Sequence, residues 1–126
     1  MSSLDRVIDG EALVLDLAKE HAQMKELPPD RHGRTARTLL KSGALRITLI
    51  SLAPGGILPE HAAAGPITVQ VIEGTMRFTV DGGAHDLGPG TIVTVGAHVR
   101  HAVTSQAGAT FLLTVAMPEG AGSGAA

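Results

Sequence analysis

The sequence predicts an all-β domain, an antiparallel sandwich or barrel preceded by a short helix. From Leu45 onward, runs of five to eight β-branched and apolar residues are separated by Gly- and Pro-containing turns every eight to ten residues. No pattern of helical length interrupts these runs, which argues against alternating strands and helices. Before them lies an amphipathic segment with helical periodicity.

The runs identify five strands directly. Each is rich in Val, Ile, Thr and Leu, the residues favoured in strands. In chain order they are LRITLISL before APGG, ITVQVI before EG, TMRFTV before DGG, TIVTV after GPG, and TFLLTVAM after AGA.

The segment Gly10–Leu27 predicts the helix. Asp9 is placed to cap its N-terminus, and the Pro28-Pro29 pair ends it. Its apolar stripe consists of Leu13, Leu17 and Met24. We expect this stripe to pack on the barrel or on a second subunit.

Length and composition limit the organisation of the chain. Its 126 residues are enough for one domain with one core. The final PEGAGSGAA is rich in Gly, Ala and Ser, which is typical of a disordered tail. The predicted division is a helical extension over 1–30, a barrel over 31–118 and a disordered tail over 119–126.

Composition also excludes several classes of function. The net charge of −2 gives no general attraction to nucleic acid or to an anionic membrane. The chain has no Cys, which excludes disulfides, thiolate metal ligands and a cysteine nucleophile. No apolar run approaches the roughly 20 residues of a membrane span, and the N-terminus lacks signal-peptide character. We expect a cytoplasmic protein.

A basic stretch follows the predicted helix. It contains Arg31, Arg34, Arg37 and Lys41, with Arg46 just beyond. One interpretation is a phosphate-contacting arm; the other is a charged strand edge that discourages edge pairing. The second is favoured because no aromatic residues alternate with these charges to stack on bases.

Alternation within the strands predicts which side chains face inward. A two-residue turn at Glu73-Gly74 would pair ITVQVI with TMRFTV, placing Gln70 beside Arg77 on the polar, outer face. The apolar face would then line the barrel. Its predicted members are Ile67, Val69, Val71, Met76, Phe78 and Val80.

The segments PGGILPEHAAAGPITVQVIEG and GTIVTVGAHVRH resemble the two motifs of small cupins, of the RmlC-like superfamily. His61, the Glu73-Gly74 turn, Gly90 and His101 match motif positions. The resemblance covers roughly residues 45–117. It implies a double-stranded β-helix, or jelly roll, that forms a homodimer.

In cupins, three histidines and one Glu or Gln hold Fe, Mn, Zn, Ni or Cu. The four corresponding positions are His61, Ala63, Ile67 and His101, so two of the four are hydrocarbon. His98, which stands where the second motif has a glycine, would be the candidate third ligand if its loop folded over the barrel mouth. The resemblance therefore implies a degenerate metal site.

Three functions remain open for the histidine pair. In the first, His61 and His101 are polar groups in an apolar ligand pocket with no complete metal site, lined by Ile67, Val69, Val71, Met76 and Phe78. In the second, a divalent Fe, Mn, Ni or Zn ion bound by a reduced ligand set serves an oxygenase, isomerase or lyase. In the third, a buried His performs metal-free acid–base catalysis, although the chain has no Tyr to assist it. The remaining histidines, His21, His32 and His85, are interpreted as surface residues.

Overall fold

A computed structural model describes residues 12–118 of the chain. Asp9, Gly10 and the predicted tail over 119–126 lie outside the described residues. The elements are α1 Leu17–Met24, β1 Arg34–Ser42, β2 Leu45–Leu52, β3 Gly56–His61, β4 Ile67–Gly74, β5 Met76–Val80, β6 Gly83–Leu87, β7 Ile92–Val95, β8 His101–Ser105 and β9 Ala109–Ala116.

The strands form two antiparallel sheets. The five-stranded sheet has the order β1-β2-β9-β4-β7, and the four-stranded sheet has the order β3-β8-β5-β6. The predicted all-β architecture with one short N-terminal helix is confirmed. In the described part of the chain, no helix has the length and apolar character needed to cross a membrane.

The core lies between the two sheets. Because strand side chains alternate, every second residue of the central strands enters it. Both phenylalanines of the chain are there: Phe78 is 0% exposed and Phe111 is 1% exposed. Every residue predicted to face inward belongs to this core or packs against it, so the predicted face is confirmed.

The predicted pairing of β4 with β5 is wrong. β4 pairs with β7 and β9 in one sheet, and β5 pairs with β6 and β8 in the other. The chain crosses between sheets after Gly74, whose φ is +79°. A Cβ there would collide with the Gly108 carbonyl oxygen, so a glycine is required. Gln70 and Arg77 consequently lie on the outer faces of different sheets.

The helix is shorter than predicted. It begins at Leu17, and Asp16 caps it by accepting a hydrogen bond from the Lys19 N–H at 3.2 Å. Asp16 itself has extended backbone angles, so the helical conformation begins only at the next residue. Leu13 therefore lies outside the helix and is 41% exposed. The other two stripe residues do pack on the five-stranded sheet, where Met24 contacts a small cluster with Leu39 and Leu49.

An ion pair also fastens the helix to the sheet. Arg37 Nε lies 3.2 Å from Glu20 Oε1, and both side chains are largely buried. β1 is an edge strand, in line with the favoured interpretation of the basic stretch. Arg37 nevertheless departs from that interpretation, because it is covered by the helix rather than solvated.

Candidate functional site

His61 and His101 lie side by side at one end of the sandwich. They are directly opposite each other on β3 and β8, and their ring centroids are 4.4 Å apart with an interplanar angle of 59°. The loop over 62–66 connects β3 to β4, and the loop over 96–100 connects β7 to β8. Both loops lie at this end, which we call the histidine end.

The protonation of His61 follows from its surroundings. Its Nδ1 lies 2.8 Å from the Pro59 carbonyl oxygen, which can only accept, so Nδ1 carries a hydrogen. Burial lowers the pKa of His61; the Pro59 contact opposes this shift, while His101, Arg34 and Arg100 add to it. The ring is therefore neutral near pH 7. Its Nε2 lone pair is buried and has no hydrogen-bond partner within residues 12–118.

His101 is held more firmly. It is 2% exposed, and its Nδ1 donates a hydrogen bond to the Val99 carbonyl oxygen at 3.0 Å. The ring stacks on Phe78 with a centroid separation of 5.6 Å and an interplanar angle of 9°. The His101 ring thus packs between the rings of Phe78 and His61.

The five apolar residues predicted to line a ligand site all lie inside the sandwich. Ile67, Val69, Val71, Met76 and Phe78 are each at most 3% exposed. Ile67 begins β4 and lies at the histidine end, whereas Met76 begins β5 near the opposite end. The residues best placed to contact a molecule beside the histidines are therefore Ile67 and its neighbours.

The remaining motif positions do not complete a metal site. Ala63 and Ile67 offer only hydrocarbon, and both are buried. His98 is exposed, with φ +66°, and its backbone N–H donates to Ala63 O at 2.8 Å. Among the described residues, no three His, Cys, Asp or Glu side chains are grouped closely enough to bind a metal ion. Two imidazoles fall short of the three or four protein ligands of a typical mononuclear site, so the residues present do not fit a resident metal.

Sequence reasoning missed Arg46. Its register partner on β9 is Val115, which is opposite Ile67 on β4, so Arg46 points toward the interior at the histidine end. Its Nε is buried and has no hydrogen-bond partner within the described residues. Arg46 has the same parity as the buried Ile50 and Leu52, but Leu49 on the opposite face is buried as well, so the alternation of LRITLISL alone does not reveal this direction.

Sequence reasoning also placed His21 on the surface, yet its side chain is only 13% exposed. Its Nε2 lies 3.0 Å from Thr110 Oγ1, which lies 3.0 Å from Ser51 Oγ. Its Nδ1 lies 3.6 Å from Glu73 Oε2. This chain of polar groups joins the helix to β2, β4 and β9. Among the other two histidines, His85 is exposed and His32 is partly buried.

A surface depression lies away from the histidines. It has a volume of about 620 Å³ and is lined in part by Gly56, Arg77 and Ser105. Gly56 begins β3, whereas His61 ends it, so the depression is at the opposite end of the four-stranded sheet. In this depression, Arg77 forms an ion pair with Asp86 and donates two hydrogen bonds to its carboxylate.

Comparison with known proteins places this geometry in a family. The model of the cupin domain, Cupin_2, matches residues 48–116. A conserved protein of unknown function from Streptococcus pyogenes is 26% identical, with a TM-score of 0.70, and the match covers 94% of this chain and 97% of that one. A search of curated proteins finds no match.

Two further solved structures share the fold. A cupin superfamily protein from Desulfitobacterium hafniense has a TM-score of 0.70 at 22% identity, covering 91% of this chain and 98% of that chain. An RmlC-like cupin from Shewanella frigidimarina has a TM-score of 0.69 at 23% identity, covering 75% of this chain and 86% of that chain. At these identities the likeness concerns the fold alone.

Proposed function

Because the chain belongs to the cupin domain family, we propose that it is a cytoplasmic small-molecule-binding cupin. Its binding site is the histidine end, where His61 and His101 are the polar groups of a hydrocarbon-lined interior. The observation that carries the proposal is the buried His61 Nε2, which has no hydrogen-bond partner among residues 12–118. Leaving a buried acceptor unsatisfied costs about 1–3 kcal/mol, and a bound donor would remove that cost.

The hydrocarbon around the histidines supports binding of a largely apolar molecule. Ala63, Ile67 and Val99 surround the histidine end, and Val69 lies one step deeper on the same face of β4. Ligand sites typically combine such apolar walls with a few polar groups that fix orientation. The two imidazoles are those groups here, since each ring is fixed by a backbone carbonyl.

The test is protein-observed NMR of the isotope-labelled protein, titrated with a library of small apolar alcohols and phenols. Binders should shift the amide resonances of His61, Ile67 and His101. Their affinity should fall about tenfold in a His61→Phe variant, which keeps a ring but removes the acceptor. His85→Phe, which changes an exposed histidine, is the matched control. Equal affinity in all three proteins would contradict the proposal.

A metal-dependent oxygenase, isomerase or lyase is the second candidate. It is favoured by one observation: both histidines direct Nδ1–H at a backbone carbonyl, as metal-ligating histidines do. The incomplete ligand set argues against it. Elemental analysis of purified protein distinguishes the two functions. Stoichiometric Fe, Mn, Ni or Zn that is lost in both His61→Ala and His101→Ala would establish the second candidate.

We also propose that the protein is a homodimer formed through the outer face of the five-stranded sheet. Among the described residues, the part of this face beyond the helix carries only uncharged side chains, so two identical copies would not repel each other electrostatically. These include Thr68, Gln70, Ile92, Thr94 and Thr114. Ile92 is 56% exposed. Light scattering should give a dimer mass for the natural protein and a monomer mass for Ile92→Glu; a natural monomer would refute this assembly.

A further inference from the structure

A cavity of about 310 Å³ lies between the helix and the five-stranded sheet. We call it the helix groove. Its walls come from one side of α1 and from the outer face of the sheet. They include Leu17, His21, Lys25, Ile72, Glu73 and Thr110. Ligand sites begin at about 300 Å³, so the groove matches a molecule no larger than an amino acid.

An irregularity in β4 brings two different side chains to the groove. Neighbouring residues of a strand normally face opposite ways, but the pairing of β4 with β9 shifts register between Val71 and Glu73. Ile72 packs against the small apolar cluster between helix and sheet. Glu73, the next residue, contacts His21 of the helix. One β-bulge thus supplies the groove with both a hydrocarbon surface and a carboxylate.

The groove is apolar at one end and polar at the other. Leu17, His21 and Lys25 are four residues apart, so they lie on one face of α1 at successive turns. Leu17 and Ile72 both pack against the apolar cluster. One turn further along, His21 contacts Glu73, and Lys25 follows at the C-terminal end of the helix. A ligand that fills the groove therefore needs a hydrocarbon part and a polar head.

The polar end contains a carboxylate and an ammonium group. Ser51 Oγ, Thr110 Oγ1 and His21 Nε2 follow one another at hydrogen-bonding distances of 3.0 Å. The other ring nitrogen of His21 lies 3.6 Å from Glu73 Oε2 and holds this carboxylate beside the helix. The Glu73 side chain is 64% exposed and has lone pairs left to accept from a ligand. The Lys25 ammonium has no carboxylate partner within residues 12–118.

We propose that the helix groove binds an apolar α-amino acid. The ammonium group of the ligand donates to Glu73, and its carboxylate contacts Lys25. Its hydrocarbon side chain lies against Leu17 and Ile72. A free amino acid carries both charges on one small head, and charge-assisted hydrogen bonds to such groups are strong. This site is separate from the histidine end, because the helix covers the outer face of the five-stranded sheet whereas the histidines belong to the other sheet.

The test is calorimetry with three small molecules that share one branched hydrocarbon end. L-Leucine carries both charges, 3-methylbutylamine lacks the carboxylate, and 4-methylpentanoate lacks the ammonium group. Leucine should bind about tenfold more tightly than either of the others, because each of them loses one charge-assisted contact.

Two substitutions assign the contacts. Glu73→Gln should abolish the advantage of leucine over 4-methylpentanoate, since only the ammonium group distinguishes these ligands. Lys25→Gln should abolish its advantage over 3-methylbutylamine. Glu26→Gln and Lys19→Gln remove the same charges at exposed positions that do not line the groove. These two variants are the matched controls and should leave all three affinities unchanged.

A third substitution fills the groove. Ala22 is an exposed helix residue that lines it, so Ala22→Leu should occupy the space of the ligand side chain and abolish leucine binding. The melting temperature should not fall, because Leu is a good helix former. Gln23→Leu adds the same side chain at an exposed position outside the groove and should leave binding intact.

Several outcomes would overturn the inference. Equal binding of leucine and either analogue would show that one of the two charges is not recognised. Leucine binding that survives Ala22→Leu would place the ligand elsewhere. If leucine does not bind the natural protein, the inference fails, and a changed mass of Ala22→Leu in light scattering would then assign the groove to a contact between two copies. None of these results bears on the proposed function, which is tested with alcohols and phenols at the histidine end.

Discussion

His21 and His61 are both partly buried, but the protein satisfies them differently. His21 lies between the helix and the five-stranded sheet, where Thr110 and Glu73 contact its two ring nitrogens. His61 lies at the histidine end, where one nitrogen contacts a carbonyl and the other has no partner within the described residues. The comparison separates polar groups that hold the fold together from polar groups that are left available for a ligand.

Substitutions in the contact region between the helix and the five-stranded sheet should therefore lower the free energy of unfolding most. Loss of the ion pair in this region should have the largest effect. Glu20→Ala leaves Arg37 without its close carboxylate in a largely buried place. We expect a loss of about 3 kcal/mol in the free energy of unfolding, measured with urea. Glu26→Ala, at an exposed position after the helix, should change it by less than about 0.5 kcal/mol. Similar losses in both variants would contradict the assigned role.

Removing His21 should have the next largest effect. His21→Ala deprives Thr110, which is 3% exposed, of one of its hydrogen-bond partners. A loss of about 1–2 kcal/mol is expected, again from urea unfolding. His61→Ala is the direct comparison and should cost less, because Nε2 of His61 has no hydrogen-bond partner to lose in the part of the chain that the structure describes. If His61→Ala proves the more destabilising change, the distinction between the two regions does not hold.

A change at the histidine end should instead stabilise the protein. His98 has a left-handed backbone conformation, with φ +66°, at the position where the cupin motif has a glycine. His98→Gly should raise the free energy of unfolding by about 1 kcal/mol by relieving this strain. His98→Ala keeps a Cβ and should give little of the gain. An equal gain from both would point to the imidazole rather than the backbone.

The smallest expected effect is a pH dependence from His61. Its folded-state pKa is lowered, chiefly by burial, so folding favours the neutral ring. The resulting stability is present above the ordinary pKa of about 6.5 and is lost as the pH falls through the lower folded-state value. Urea unfolding between pH 8 and pH 5 should show a smaller decline for His61→Gln than for the natural protein. An NMR titration midpoint above 6.5 for His61 would contradict this prediction.

The faces of the strands could be predicted from sequence because alternation is a local property. Ile67, Val69 and Val71 needed only their own strand to be assigned to the core. The partners of that strand could not be predicted in the same way. The Gly74 crossover depends on close approach to Gly108, a residue 34 positions later, and nothing near Gly74 distinguishes a crossover from a hairpin.

The histidine pair was predictable because motif spacing identifies both of its members. Arg46 was obscured by its strand, in which Leu49 and Ile50 are both buried on opposite faces. A strand that is apolar on both sides gives no clear inner face, so the direction of Arg46 depends on the neighbouring strand β9. The helix start was obscured similarly, since Asp9 and Asp16 are both of a residue type that caps helices, and sequence alone does not tell which of them does so.

The hydrogen bond from His98 N–H to Ala63 O ties together the two connections at the histidine end. One connection follows His61 directly and the other leads directly into His101. The two segments are therefore coupled mechanically: displacing either one strains or breaks the same bond. Solvent entry at this end and separation of the imidazoles should consequently occur as one concerted event, with a single rate.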